Sequence, residues 1–271
     1  MNWKKLGLLI VPGAYDWMRT HAQSPFAEQL DDGLFKIHFV GRDSNNCSRG
    51  GSALLRLRDS SNFNISLTPT PTLDIGELGC FDDCGVMPSS IVHYNNLQFM
   101  YYTGWSKAIS VPFRFFIGLA ISHDNGATFS RYSKAPIFGP DIDEPFLTAS
   151  PWVMKCGNQW KMWYVSGTKW EKYTNKAPKH YYCIKYAESQ DGIKWKSKTT
   201  CINYEKDEYA LARPVVYYHN KQYIMWFSFR GGEYSYKIGY ATSEDGINWI
   251  RNDNIVGIAP SEKEWDSDMI C

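Results

Sequence analysis

Acidic residues recur a few positions ahead of a proline at several places in this chain, and carboxylates placed so regularly are candidates for proton-transfer chemistry. Asp82 and Asp83 precede Pro88, Glu144 precedes Pro151 and Glu208 precedes Pro214, while Asp266 and Asp268 stand near the end. Asp83, Glu208 and Asp268 are the expected catalytic carboxylates. Two such groups across one space let one protonate a leaving oxygen while the other activates water or attacks carbon, and their like charges drive their pKa values apart. His21, Arg42, Asp43, Trp105, Arg213 and Arg230 are the expected substrate contacts. Arginine grips a carboxylate or phosphate at two points, which lysine cannot imitate, and Trp105 and Trp170 offer flat faces for stacking. Each residue also has a plainer role. Asp83 can cap a turn, Glu208 can be a surface acid beside Lys206 and Asp207, Arg213 can brace an acid, and the tryptophans can pack.

The elements that must position these residues are visible as a repeat. Pro25, Pro88, Pro151 and Pro214 follow one another at intervals of 63 residues. After each comes a strand pattern, a polar turn (Asp31-Asp32-Gly33, Asn95-Asn96, Cys156-Gly157-Asn158, Asn220-Lys221) and a dense aromatic strand. A third strand, as in "YYCIKYAES", leads into a tight Asp-Gly turn, and Phe129, Trp195 or Trp249 opens a fourth. Four antiparallel strands repeated radially describe propeller blades, and no stretch carries helical apolar spacing. The expectation is one all-β domain over 1–271, a five-bladed β-propeller with units starting near 21, 82, 144 and 208. Its fifth blade is expected to be incomplete (265–271) or closed by an N-terminal strand at 3–12. In such a fold the segments before the prolines gather at one mouth.

A formal net charge of +1 gives no electrostatic reason to expect nucleic acid as a partner. No apolar run approaches a bilayer span, and no secretory leader is expected. Seven cysteines without regular pairing are expected as free thiols in a cytoplasmic protein. Cys80 and Cys84 lack a second ligand pair, so no metal is expected. The absence of a Gly-rich phosphate loop, an HExxH helix or a GxSxG elbow argues against nucleotide, zincin and serine-hydrolase chemistry, and no cofactor is expected. Oligomeric state is left open. With 16% aromatic residues, the chain is rich in rings that pack in strands and stack on sugars.

The repeated Tyr-Ala-x-Ser-x-Asp-Gly-x-x-Trp at 186–195 and 240–249 resembles the blade signature of five-bladed glycoside hydrolases of families 32, 43, 68, 117 and 130. "FDDCGVMPSSIV", "TASPWVM", "YALARPVV" and "EWDSDMIC" resemble, more closely, cytoplasmic glycosidase-related proteins associated with surface-polysaccharide genes. The resemblance implies a carbohydrate-active enzyme that cleaves a glycosidic bond, with a saccharide or glycoconjugate as partner. It departs at one point. Where family 43 enzymes are expected to place a general-base Asp, this chain has Gln23 and Ser24, so that mechanism does not transfer whole. Hydrolysis with a base from another blade, phosphorolysis using inorganic phosphate, and non-catalytic sugar binding all stay open.

Overall fold

A computed structural model of the chain describes residues 1–59, 62–174, 176–232 and 234–271. The repeat becomes four units of four antiparallel strands, with no α-helix among the described residues. The first unit is β1 (His21–Asp31), β2 (Leu34–Arg42), β3 (Ser48–Asp59) and β4 (Asn62–Leu67). The second is β5 (Gly85–Tyr94), β6 (Leu97–Lys107), β7 (Phe113–Ser122) and β8 (Ser130–Arg131). The third is β9 (Thr148–Cys156), β10 (Gln159–Tyr173), β11 (Lys176–Ser189) and β12 (Lys196–Ile202). The fourth is β13 (Glu208–His219), β14 (Gln222–Gly231), β15 (Tyr234–Ser243) and β16 (Ile250–Arg251).

Turn chemistry explains where the chain reverses. Asn95 and Asn96 have φ of 50° and 61°, and Asn220 and Lys221 have 50° and 63°. Two consecutive positive φ values make the type I′ turn whose twist matches the flanking strands. The corner between third and fourth strands is built by a serine, an aspartate and a glycine. Ser189 and Ser243 accept the N–H of Gly192 and Gly246 at 2.9 and 2.8 Å, and Asp191 and Asp245 each collect two further backbone N–H groups. Trp195 and Trp249 then donate Nε1–H to the glycine carbonyls at 3.1 Å. The recurrent Ser-x-Asp-Gly-x-x-Trp is therefore a strand-to-strand corner that locks itself.

The chain forms two compact bodies. One comprises Lys4–Lys107 with Phe113–Ile137 and holds the first two units; the other comprises Met1–Trp3, Ala108–Pro112 and Phe138–Cys271 and holds the third and fourth. Each body contains one eight-stranded sheet. In the first, β3 meets β5 through a parallel Ser48–Gly85 pair; in the second, β11 meets β13 through Tyr182–Ala210. Large side chains fill the space behind them: Met100, Tyr102 and Phe129 in the first body, Trp163, Tyr186, Met225 and Phe227 in the second. Burying each such side chain contributes about 1.5–3 kcal/mol before entropy is subtracted.

Two expectations about the ends need correction. Residues 3–12 form no strand. Gly7, at φ 96°, interrupts the extended run, and the first residues engage the second body by other means. The Met1 ammonium donates to the Ile255 carbonyl at 2.9 Å, the Trp3 indole donates to Val256, and its ring meets Trp226 edge-on. Residues 265–271 likewise form no strand; a turn at Glu264–Ser267 and one bond from Ile270 N–H to the Tyr236 carbonyl hold them.

Candidate functional site

The periodic prolines mark a backbone distortion. Ser24, Ser150 and Arg213, each directly before its proline, have φ of 56°, 48° and 50°. Strand pairing slips at each of these places, and the register also shifts between Pro88 and Ser90 of β5. A left-handed conformation at a residue that is not glycine is costly and re-aims the side chain, which is how bulges serve binding sites. The proline period is legible in the sequence; the bulge is not, because nothing in the residue type of serine or arginine announces φ above zero.

The acids ahead of the inner strands divide into two kinds. Asp82 is fully buried; its Oδ2 receives the Tyr102 hydroxyl at 3.0 Å and pairs with Arg131 Nε at 2.7 Å, while its Oδ1 is shielded with no hydrogen-bond partner among the described residues. Glu144 is fully buried, pairs with Lys185 at 3.0 Å and receives hydroxyls from Tyr164, Ser166 and Ser197. Glu208 accepts both terminal nitrogens of Arg251 at 2.7 Å, the planar two-point geometry of a strong ion pair. Burial and the adjoining carboxylates push the Tyr102 and Tyr164 hydroxyls well above their usual range. Sequence reasoning missed these pairs, although a signal existed: Arg131 and Arg251 each stand two residues after the corner aromatic, Phe129 or Trp249.

Asp83 is of the other kind. Its Oδ2 accepts the Gly79 N–H at 3.0 Å, whereas Oδ1 is shielded from solvent with no hydrogen-bond partner among the described residues. Next to it, burial raises the Cys84 thiol pKa and the Asp83 carboxylate adds to that rise. The same strand ends assemble the other first-body residues. His21 pairs with Arg42 across β1 and β2, Arg42 with Ser48, Ser48 with Gly85, and Gly85 with Trp105. Arg42 lies 5.8 Å from the Trp105 ring centroid and donates Nη1–H to Asn46, while its Nε is shielded and unpartnered among the described residues. Burial and the Arg42 charge hold His21 below the usual imidazole range. Trp105 is only 7% exposed and donates to Ser48 Oγ at 2.8 Å, so it is a floor beneath Arg42 rather than an open stacking wall. Asp43 closes its loop: it accepts the N–H groups of Asn45 and Cys47 and pairs with Arg49 at 2.8 Å. Burial alone would raise its pKa; those partners bring it below the ordinary value.

The second body gathers a basic and aromatic cluster. Arg230, at the end of β14, has its guanidinium 5.1 Å from the Tyr209 ring centre and 4.7 Å from that of Tyr236, and Nη2 reaches the Tyr182 hydroxyl at 3.5 Å. The His180 ring stacks on Tyr182 at 5.1 Å and meets Trp170 at a tilt at 5.0 Å. Burial, then the Arg230 charge, lower the His180 pKa to about 4. Arg213 is half-buried; burial lowers its pKa and Cys271 opposes that. Asp268 lies on the exposed terminal segment. No group of three or more His, Cys, Asp or Glu among the described residues is arranged to hold a metal ion.

No family model matches the chain. An uncharacterized protein of Mycobacterium tuberculosis, in strains CDC 1551 / Oshkosh and ATCC 25618 / H37Rv, is 39% identical over 274 residues, spanning 100% of this chain and 89% of the relative. The chain belongs to the same family as that protein. Among solved structures it is similar to a glycoside hydrolase, with a TM-score of 0.74 at 16% identity over 98% of this chain and 81% of the other. A family 117 glycoside hydrolase of Zobellia galactanivorans gives 0.64 at 11% identity, covering 93% of this chain and 74% of that one. The family 32 β-fructofuranosidase of Bombyx mori, in complex with sucrose, gives 0.64 at 16% identity over 85% of this chain and 48% of the other. The fold is thus the glycoside hydrolase-like, all-β fold of the propeller glycosidases.

Proposed function

We propose that this protein acts on a glycosidic bond, with Asp83 as the carboxylate that passes a proton to the leaving oxygen. The observation that carries this reading is the contrast among the acids. Asp82, Glu144 and Glu208 are each neutralised by a basic side chain. Asp83 pairs with no basic side chain among the described residues; like Asp82 it keeps a shielded oxygen without a partner there, and it stands at a strand end shared with His21 and Arg42. Buried polar atoms without partners are rare and call for an explanation; a bound substrate is one. In the step proposed, the bond from the anomeric carbon to the leaving oxygen breaks, Asp83 gives its proton to that oxygen, and water or a phosphate oxygen forms the new bond to carbon. The proton that water gives up passes to solvent, from which Asp83 is reprotonated. His21 and Arg42 hold the attacking or leaving group. Glu208 then acts as a brace for the start of its blade. The 63-residue repeat and the propeller neighbours support reading the four units as blades of one five-bladed domain.

A non-catalytic saccharide binder is the second reading, favoured by the absence of an acid at Gln23 and Ser24. Product analysis by NMR across an oligosaccharide panel separates the two. Free reducing sugar or sugar 1-phosphate formed by the native protein, and absent with Asp83→Asn, supports catalysis. Bound but uncleaved saccharide refutes it and leaves the binder.

A further inference from the structure

Among the described residues, the second body contains an arginine that pairs with no carboxylate. Arg19, Arg49, Arg131 and Arg251 each pair with a carboxylate at 2.8 Å or less. Arg230 pairs with none among the described residues. Its neighbours there are two aromatic faces and one tyrosine hydroxyl at a long 3.5 Å, and its Nε is shielded from water without an acceptor. Holding a half-buried guanidinium with a donor unsatisfied is costly unless an anion completes it. The surroundings lean the same way. The Lys179 ammonium sits 3.5 Å from the Tyr209 ring centre. The carboxylate on the adjoining hairpin, Glu171, is taken by the Tyr173 and Tyr181 hydroxyls and by Lys169. His180 stays uncharged at neutral pH beside Arg230 and adds a ring face with Trp170.

We infer that Arg230, between Tyr209 and Tyr236, is the recognition point for an oxyanion carried on a sugar, so that the saccharide this protein takes is acidic: a uronate or a sugar phosphate. Both present two oxygens that match the fork of a guanidinium. The inference rests on the saccharide reading above and narrows it to a substrate class.

Binding is measured by ligand-observed NMR with glucose, glucuronic acid, glucose 6-phosphate and inorganic phosphate, on the native protein and on Arg230→Gln and Arg230→Lys. Circular dichroism checks that both variants are folded. The expected result is at least tenfold tighter binding of one acidic sugar than of glucose, with glucuronic acid and glucose 6-phosphate telling carboxylate from phosphate. Arg230→Gln removes that advantage, and Arg230→Lys restores only part of it because it keeps the charge and loses the fork. Glucose bound as well as either acidic sugar, an acid preference that survives in Arg230→Gln, or inorganic phosphate bound as tightly as glucose 6-phosphate would each overturn the assignment. If no sugar of any charge is bound or cleaved, it is the saccharide reading that fails, and this inference with it.

Discussion

Replacing Glu208 by glutamine leaves Arg251, whose side chain is 9% exposed, without its two-point partner. Breaking a shielded pair by removing one member strands the other charge, at a cost of about 3–5 kcal/mol, and Asp253, which also binds Arg251, offsets part of it. Glu208→Gln is therefore expected to lose about 3 kcal/mol in urea unfolding. A loss under about 0.5 kcal/mol, the scale of an exposed pair, would contradict the bracing role. A second residue-scale device is the Glu28 carboxylate, which receives His38 at 3.1 Å and His93 at 2.5 Å. Burial pushes Glu28 upward, but the two imidazoles outweigh it and its pKa is lowered; burial dominates at His38 and lowers that pKa as well. In both cases the unfolded chain binds more protons over the window between the folded pKa and the group's ordinary value, 6.5 for His38 and 4.5 for Glu28. Stability is thus complete above 6.5 and is lost as pH falls through those windows. Melting temperature is expected to drop from pH 7 toward pH 4, with the upper part of the slope reduced in His38→Gln. A flat profile would contradict the assignment.

At the scale of the element, hairpin turns set the register within the four-stranded units. Gly33 has φ of 66°, and a Cβ added there would lie 2.5 Å from the backbone oxygen of Leu57, which cannot swing away. Gly33→Ala is expected to cost roughly 1–3 kcal/mol and to lower the melting temperature; an unchanged melt would mean that the β1–β2 turn tolerates another path. The strands are legible in the sequence because their signals are local. Prolines at a fixed period, Asn-Asn or Asp-Gly turns and aromatic runs each act within a few residues. The end segments mislead for the same reason: residues 3–12 read as strand by composition, while Gly7 and the Trp3 contacts with Val256 and Trp226 decide their path.

At the scale of the whole molecule, what the sequence conceals is pairing at a distance. Asp82 reaches Arg131, Glu144 reaches Lys185 and Glu208 reaches Arg251, all more than 40 residues apart, so no local pattern distinguishes a braced acid from one left for chemistry. The place of Asp83 before the second inner strand makes it a candidate in the sequence; that its Oδ2 takes the Gly79 N–H while its Oδ1 is shielded without a partner among the described residues is visible only in the structure. The buried Trp105 is hard to read in the same way, since an aromatic at a strand end looks alike whether it faces solvent or supports an arginine. The most direct test of the central claim is the rate of sugar release from an oligosaccharide panel, with and without phosphate, for the native protein and Asp83→Asn. The account predicts release by the native protein and a fall of at least about a hundredfold in the variant, the scale of a lost general acid. Equal rates in the two proteins, or no release from any oligosaccharide by a folded native protein, would contradict it.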